Sequence, residues 1–413
     1  MRRSILLLGF CGQLISMAQQ TDVLFIGNSY TAVNDLPNTF RLLALSLGDT
    51  VNVAASYPGG YTFEGHTAYT PTLQAIEAQA WDHVVLQEQS QLPSFPPAQV
   101  ETQCYPFAAE LVDLIRANDS CTQPVFYMTW GRQNGDASNC ASWPPVCTYD
   151  GMQARLRESY LEMAFANDAY AAPVGAAWKN VRDAHPAIVL YNADQSHPSA
   201  EGTYLAACVF YSTIFRESSE ASTYSAAIDP ATASILRGIA SSTVLDSLDT
   251  WNIRVNDPDA GFSWTHDGTG LVQFEHSGAG VHLWSFSDGG SSTSPAPAHQ
   301  FATGGLYTVS HTWTDACGRT ASATTSIDLT ITGIACTVNH DPIGLIAIGD
   351  GQARLIRSEN DHGEVLITDA LGRTLRRMAV YRNEEVIDLP KGICMWRFSD
   401  GFRPDFAGRT LIH

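Results

Sequence analysis

Val23-Leu24-Phe25-Ile26-Gly27-Asn28-Ser29-Tyr30 passes from four apolar residues directly into Gly, Asn and Ser. A short apolar run that ends on such residues reads as a buried strand with a turn at its carboxyl end. Residues 51–54, 84–86 and 125–128 read the same way. Between these runs lie helical patterns. The clearest has Val100, Cys104, Phe107, Leu111 and Ile115 at spacings of three and four, and two more cover 152–166 and 200–215. Strand and helix in alternation predict an α/β fold, a mostly parallel sheet covered on both faces. Right-handed crossovers then bring every strand's carboxyl end to one edge, where a ligand site is expected. Ser29 stands at the first of those ends.

The pattern changes after Ser247. Residues 251–333 lose helical periodicity and become rich in Ser, Thr and Gly. A strand is expected at 306–314, with Tyr307, Val309, His311 and Trp313 on the face opposite Thr308, Ser310 and Thr312. Asp288-Gly289-Gly290 signals a turn, and together these features predict an all-β sandwich. Residues 340–413 are again strand-like, at 365–368, 386–389 and 393–398, with a turn at Leu371-Gly372-Arg373. At the other end, Arg2 and Arg3 precede an apolar stretch over 5–15, and Ser16-Met17-Ala18 offers small residues for cleavage. That is the layout of a signal peptide, with cleavage after Ala18; the stretch is too short to span a bilayer. A lipidated Cys11 is the rival reading, and Phe10 is a poor residue before such a site. The expected organisation is therefore a signal peptide at 1–18, an α/β domain at 19–248, a β-sandwich at 251–333 and a second small β domain at 340–413.

Composition narrows the partners. The 413 residues are 45% hydrophobic, enough for a sizeable core, and the formal net charge is -19. A chain this acidic lacks the basic face that nucleic acid requires, and an anionic membrane surface repels it equally. Eight cysteines remain once Cys11 is removed with the signal peptide. In an oxidising compartment an even set suggests disulfides. Cys140 with Cys147, bracketing a Pro-containing loop, is the preferred pair, and Cys104 with Cys121 the next. Cys208, inside an apolar helical pattern, reads as a buried thiol. No spacing resembles a zinc site, and neither a metal nor an organic cofactor is expected.

Five stretches carry possible chemistry, and each taken alone has an ordinary structural explanation. Ser29 follows Gly at the ligand edge, where its own N–H is placed to face an oxyanion; strands also end in Gly-Asn-Ser merely to turn. A serine hydroxyl needs a base, and Asp194-Gln195-Ser196-His197-Pro198 supplies a histidine with an orienting carboxylate three residues before it. His83 in a strand pattern and His185 in a polar loop are weaker candidates. His66, after the glycine pair Gly59-Gly60, is harder to dismiss. Gly60 allows a backbone N–H to approach a ligand closely. The polar run Gln87-Glu88-Gln89-Ser90-Gln91 breaks a buried strand and offers amide donors. Trp130, after the fourth strand, is a possible pocket wall, and equally a core residue.

In this order the pieces resemble the SGNH (GDSL-like) hydrolase family over residues 22–217. The resemblance rests on Gly27-Asn28-Ser29 as its first block, Gly60 as its second and Asp194 with His197 as its D-x-x-H block, followed by Pro-Ser-Ala-Glu-Gly-Thr-Tyr. It implies a three-layer α/β sandwich, a nucleophilic Ser29, and His197 and Asp194 as base and orienting acid. The oxyanion hole would comprise the N–H groups of Ser29 and Gly60. The family's usual G-x-N-D block is absent: Gln87 to Gln91 holds no asparagine, and Gln89 or Gln91 is left to replace its donor. Asn28, Gln87, Gln91 and Trp130 are the remaining substrate-contact candidates. The match is closer to a carbohydrate esterase-like branch than to lipases. Trp284-Ser285-Phe286-Ser287-Asp288-Gly289-Gly290 and Gly305-Leu306-Tyr307-Thr308-Val309 resemble a PKD domain. Asp369-Ala370-Leu371-Gly372-Arg373, the run from Ile387 to Gly392 and the closing run from Phe406 to Ile412 resemble a type IX secretion sorting domain, which implies passage through that machinery to the cell surface or beyond. The expected activity is hydrolysis of a carbohydrate O-acetyl ester through an acyl-enzyme. The alternatives are a surface binding protein with an inactive hydrolase-like domain and, third, a lipase or thioesterase, for which the sequence shows no apolar lid.

Overall fold

The first apolar run is wholly buried in β1 (Thr21–Ile26) of the computed structural model, which describes residues 20–266, 270–329, 344–349, 352–356, 363–380, 384–390, 392–399 and 406–412. The expected signal peptide lies outside the described residues. Val23, Leu24, Phe25 and Ile26 do not alternate with polar residues, so both faces of the strand must be covered, which is the position of a central parallel strand. β1 is hydrogen-bonded to β2 (Val51–Ser56) on one side and to β3 (His83–Leu86) on the other. β4 (Gln123–Tyr127) and β5 (Tyr170–Ala172) complete, among the described residues, a parallel sheet in the order β2-β1-β3-β4-β5. The chain leaves β1 for one edge and returns on its other side, so the topological switch point falls at the carboxyl end of β1.

Helices follow each strand. After β1 come α1 (Ser29–Ala32) and α2 (Leu36–Leu47), after β2 come α3 (Phe63–Thr67) and α4 (Thr70–Glu77). After β3 come α5 (Pro97–Gln103) and α6 (Tyr105–Asn118), and after β4 comes α7 (Tyr149–Ala166). After β5 come α8 (Val174–Ala184), α9 (Ala200–Phe215) and α10 (Pro230–Leu245). α9 packs against α2, α8 and α10, and every residue from Gly202 to Ile214 is buried, as befits a helix that is apolar all round. α3, α4 and α5 gather on α6 in the other layer. The helical pattern expected across 100–115 is divided at Cys104. Pro106 has no N–H to continue the first segment and instead sits in the first turn of α6. Trp251 and Ile253 still bury in this α/β core.

Beyond them the described strands are antiparallel. β6 (Ser263–His266), β7 (Leu271–Glu275), β8 (Val281–Phe286), β9 (Ser291–Ser292), β10 (Ala298–Gln300), β11 (Leu306–Thr314) and β12 (Thr320–Asp328) form sheets ordered β10-β7-β6 and β12-β11-β8-β9. Trp264, Phe274, Trp284, Phe286, Phe301, Val309 and Ile327 lie in their shared core. In β11 Val309 and His311 are buried, the face assigned to them by alternation. The last residues form two further sheets. One contains β13 (Gly344–Gly349), β14 (Gln352–Ile356) and a strand at Glu384–Asp388; the other contains strands at Gly363–Asp369, Thr374–Val380, Gly392–Ser399 and Phe406–Ile412. Cys140 pairs with Cys147 as expected. The Cys104–Cys121 pairing does not occur: Cys104 is buried beside Met163, and Cys121 is joined to Cys317 between the α/β part and the sandwich. Cys208 is the buried thiol anticipated, its pKa pushed up to about 12 by burial.

Candidate active site

Gly27 opens the turn that presents Ser29, and it must be glycine. A Cβ there would lie 2.5 Å from Thr31 Oγ1 and 2.7 Å from Gln87 Oε1. Gln87 Oε1 comes so close because it accepts the Asn28 N–H at 3.0 Å and the Thr31 hydroxyl at 2.9 Å. The Asn28 side chain in turn caps α1, accepting from the Tyr30 N–H at 3.1 Å, and donates to the Tyr61 carbonyl at 3.0 Å. That last bond ties the loop bearing Gly59 and Gly60 to the Ser29 turn. Gly60 itself has φ +72°, a conformation glycine adopts without penalty.

His66 lies beneath the same turn. It is fully buried; its Nε2–H donates to the Gly27 carbonyl at 2.9 Å, and Nδ1 accepts from the Thr72 hydroxyl at 2.7 Å. Burial, opposed by the bond to Gly27, lowers its pKa to about 4, so it stays neutral near pH 7 with both nitrogens engaged. It is a support, and no base.

His197 reaches Ser29 from a tight loop after α8. The Asp194 Oδ1 accepts the N–H groups of Ser196 at 3.1 Å and His197 at 3.0 Å, which folds the loop back on itself. Its Oδ2 accepts from His197 Nδ1–H. Burial raises the Asp194 pKa, but the hydrogen bonds from His197 and the two backbone N–H groups outweigh it and hold the carboxyl below the usual range. With the Nδ1 proton held there, the lone pair of His197 Nε2 faces Ser29 Oγ, 2.8 Å away. Ser29 and His197 are both partly exposed, so a substrate can reach them. Ser29 and, 168 residues further along the chain, His197 with its neighbour Asp194 thus form a hydrogen-bonded line of hydroxyl, imidazole and carboxylate.

The remaining candidates divide. The N–H groups of Ser29 and Gly60 have no hydrogen-bond partner among the described residues, leaving both free to donate. Gln89, expected as an oxyanion donor, is tied into its own turn: Oε1 accepts from Gln91 N–H at 2.8 Å and Leu92 N–H at 3.1 Å, while Nε2 points to Gln91 Oε1. Gln91 gives its own Nε2 to Asp136 at 2.6 Å. Gln87 and Trp130 are fully buried and Asn28 nearly so, which corrects their assignment as substrate contacts. Gln87 and Asn28 build the turn. Trp130 stacks on Trp178 at 3.8 Å and on Tyr30 at 4.9 Å, and its Nε1 donates to the Ser196 carbonyl at 3.0 Å. Sequence reasoning missed Tyr30, whose ring flanks His197 at 5.2 Å and whose hydroxyl pairs with Ser196 Oγ at 2.6 Å. Its adjacency to Ser29 was the available signal.

Residues 272–331 match the family profile of the PKD domain. Among solved structures the chain is similar to a DUF4886 family protein from Bacteroides uniformis, at 20% identity and TM-score 0.49, covering 55% of this chain and 95% of that one. A protein assigned as an SGNH hydrolase from Slackia heliotrinireducens is 30% identical, with TM-score 0.37, over 46% of this chain and 97% of its own. An acetyl xylan esterase from Geobacillus stearothermophilus is 19% identical, with TM-score 0.35, over 47% and 94%. No curated protein matches.

Proposed function

We propose that the protein is a serine ester hydrolase working through an acyl-enzyme, with a carbohydrate O-acetyl ester as its substrate class. The observation that carries this reading is the 2.8 Å approach of Ser29 Oγ to His197 Nε2, with Asp194 on the other ring nitrogen. His197 takes the Ser29 proton as the hydroxyl oxygen bonds the ester carbonyl carbon, then returns it to the departing alcohol. Water, activated by the same imidazole, attacks the acyl-serine and releases the acid and the free hydroxyl. The Ser29 and Gly60 N–H groups hold the oxyanion; losing one such donor typically costs about 3 kcal/mol. Two disulfides support an oxidising, exported setting. The reading includes removal of residues 1–18 and passage through the type IX machinery by way of residues 340–413, with the α/β domain at 19–248 and the sandwich at 251–333.

One observation favours a second reading, a binding protein without turnover: the Gln89 amide is committed to its own turn, so a third oxyanion donor is not on hand. A chromogenic acetate ester and a fluorophosphonate probe separate the two. The wild-type chain hydrolyses the ester and is labelled at Ser29, while Ser29→Ala loses labelling and at least about 10³-fold in kcat. Equal turnover by the mutant eliminates Ser29 as nucleophile, and an unlabelled, inactive wild type favours the binder.

A further inference from the structure

Three histidines meet inside the sandwich, remote in sequence from Ser29. His276 follows β7 in one sheet, while His282 on β8 and His311 on β11 belong to the other. His282 and His311 are buried and His276 is half-buried. One nitrogen from each lies within 4.8 Å of the others. Tetrahedral zinc with bonds of about 2.0–2.1 Å sets its ligand nitrogens about 3.3 Å apart. His282 Nδ1 and His311 Nε2, at 3.1 Å, are already near that spacing, so His276, the half-buried member, makes the larger adjustment.

The outer hydrogen bonds orient these rings. His311 Nδ1–H donates to the Ala260 carbonyl at 2.8 Å, and His276 Nε2–H donates to the Asp259 carbonyl at 2.9 Å. An imidazole whose outer N–H is held by a backbone carbonyl keeps its other nitrogen as a lone pair directed inward, the arrangement of metal-ligating histidines. His276 Nδ1 meanwhile accepts only a backbone bond from Gly278 at 3.1 Å. With the His311 proton held by Ala260, His311 Nε2 turns its lone pair toward His282 Nδ1; a metal ion would replace that hydrogen bond, with His282 then carrying its proton on the outer nitrogen. No carboxylate hydrogen-bonds any of the three rings among the described residues, so a buried imidazolium would have no counter-charge there.

We propose that His276, His282 and His311 bind a divalent transition-metal cation of the zinc type, which staples one sheet of the sandwich to the other. Imidazole nitrogen suits zinc, copper and nickel better than calcium or magnesium. Because Asp259 and Ala260 lie on the segment entering the sandwich, the cation also fixes that entry.

The test is calorimetric titration of zinc into the untagged full chain after chelator dialysis. One equivalent is expected to bind, and zinc should raise the thermal transition of the sandwich. His282→Gln and His276→Gln should each weaken binding at least about a hundredfold, since either removes one of three ligands. Circular dichroism shows whether each variant folds; should His282→Gln not fold, the half-buried His276→Gln decides the matter. Cobalt substitution should give tetrahedral absorption bands that vanish in the variants. Absence of a bound equivalent in the wild type, or equal zinc affinity in the folded variants, overturns the proposal.

Discussion

Glu88 shows how one residue under the site connects stability to pH. It is fully buried, and its carboxylate accepts the N–H groups of Phe63 and Gln89. Burial raises its pKa to about 7, and those hydrogen bonds only partly offset the effect. Between the ordinary carboxyl value near 4.3 and about 7, the folded chain retains a proton that the unfolded chain has lost. Stability from this group therefore falls as pH rises through that window and stays level above it. The shift corresponds to on the order of 3 kcal/mol. Glu88→Gln removes the ionisation while keeping a carbonyl oxygen for the two N–H groups. Relative to wild type, the variant should gain about 3 kcal/mol between pH 5 and pH 8 in urea unfolding. A stability gap identical at both pH values would show that Glu88 does not titrate there. Nothing in Gln87-Glu88-Gln89 reveals this burial from sequence, because a polar run at a strand's end reads as surface. The Ser29 turn and the Asp194–His197 loop were legible for the opposite reason: each is local, one after β1 and the other three residues long, and each carries its own turn chemistry, whereas their meeting spans 168 residues.

At the scale of elements, the five-residue α3 holds the Gly60 loop to the end of β1. Thr62 caps it by accepting from Gly65 N–H at 3.1 Å, the Phe63 N–H is anchored on Glu88, and His66 supports the Gly27 carbonyl. Replacing His66 by Phe keeps a ring in the space but leaves the Gly27 carbonyl without its partner, while the Thr72 hydroxyl keeps the Ser56 hydroxyl at 2.7 Å. A buried polar group left unpaired costs about 1–3 kcal/mol, so the midpoint of chemical unfolding should fall by a corresponding amount. An unchanged midpoint would mean that water or a shifted neighbour replaces the imidazole. The same element explains why His66 looked like a competitor for His197. Sequence places a histidine beside a glycine pair, but only the packing of α3 against the sheet decides that both ring nitrogens face inward. β1, β2, β3 and β4 were legible as apolar runs between turn residues. β5, three residues long, leaves no period to read, and the break at Cys104 depends on Pro106 interrupting an otherwise continuous apolar stripe.

Across the whole molecule, the connection between the α/β part and the sandwich rests on few contacts. Arg216 pairs with Asp257 at 2.6 Å, and Asn256 donates to Gln123 at 2.7 Å and to the Asp168 carbonyl at 3.0 Å. These are part-exposed polar contacts, and such pairs contribute roughly 0–1 kcal/mol each. A groove lined by Trp81, Asp82, His83, Tyr170 and Arg319 runs beside the Cys121–Cys317 disulfide, so apolar burial does not fill the junction there. The disulfide, closing a separation of 196 residues, is then the dominant constraint; chain-entropy reasoning assigns about 5 kcal/mol to a loop of that order. Sequence could not pair these cysteines, because their proximity follows from how two separately formed sheets meet. The histidine cluster was hidden by the same kind of distance, since β7, β8 and β11 must pair and stack before residues 276, 282 and 311 converge. Cys317→Ser removes the constraint without touching either core. Calorimetry on that variant should show the sandwich melting apart from the α/β part, at a lower temperature than in the wild type. Fluorophosphonate labelling of Ser29 should persist, because the Ser29–His197–Asp194 line lies wholly within the α/β part. Wild type under reducing conditions, which also opens Cys140–Cys147, should likewise show the sandwich melting separately. A melting profile indifferent to both treatments would mean that the polar contacts near Asp257 hold the two parts together by themselves.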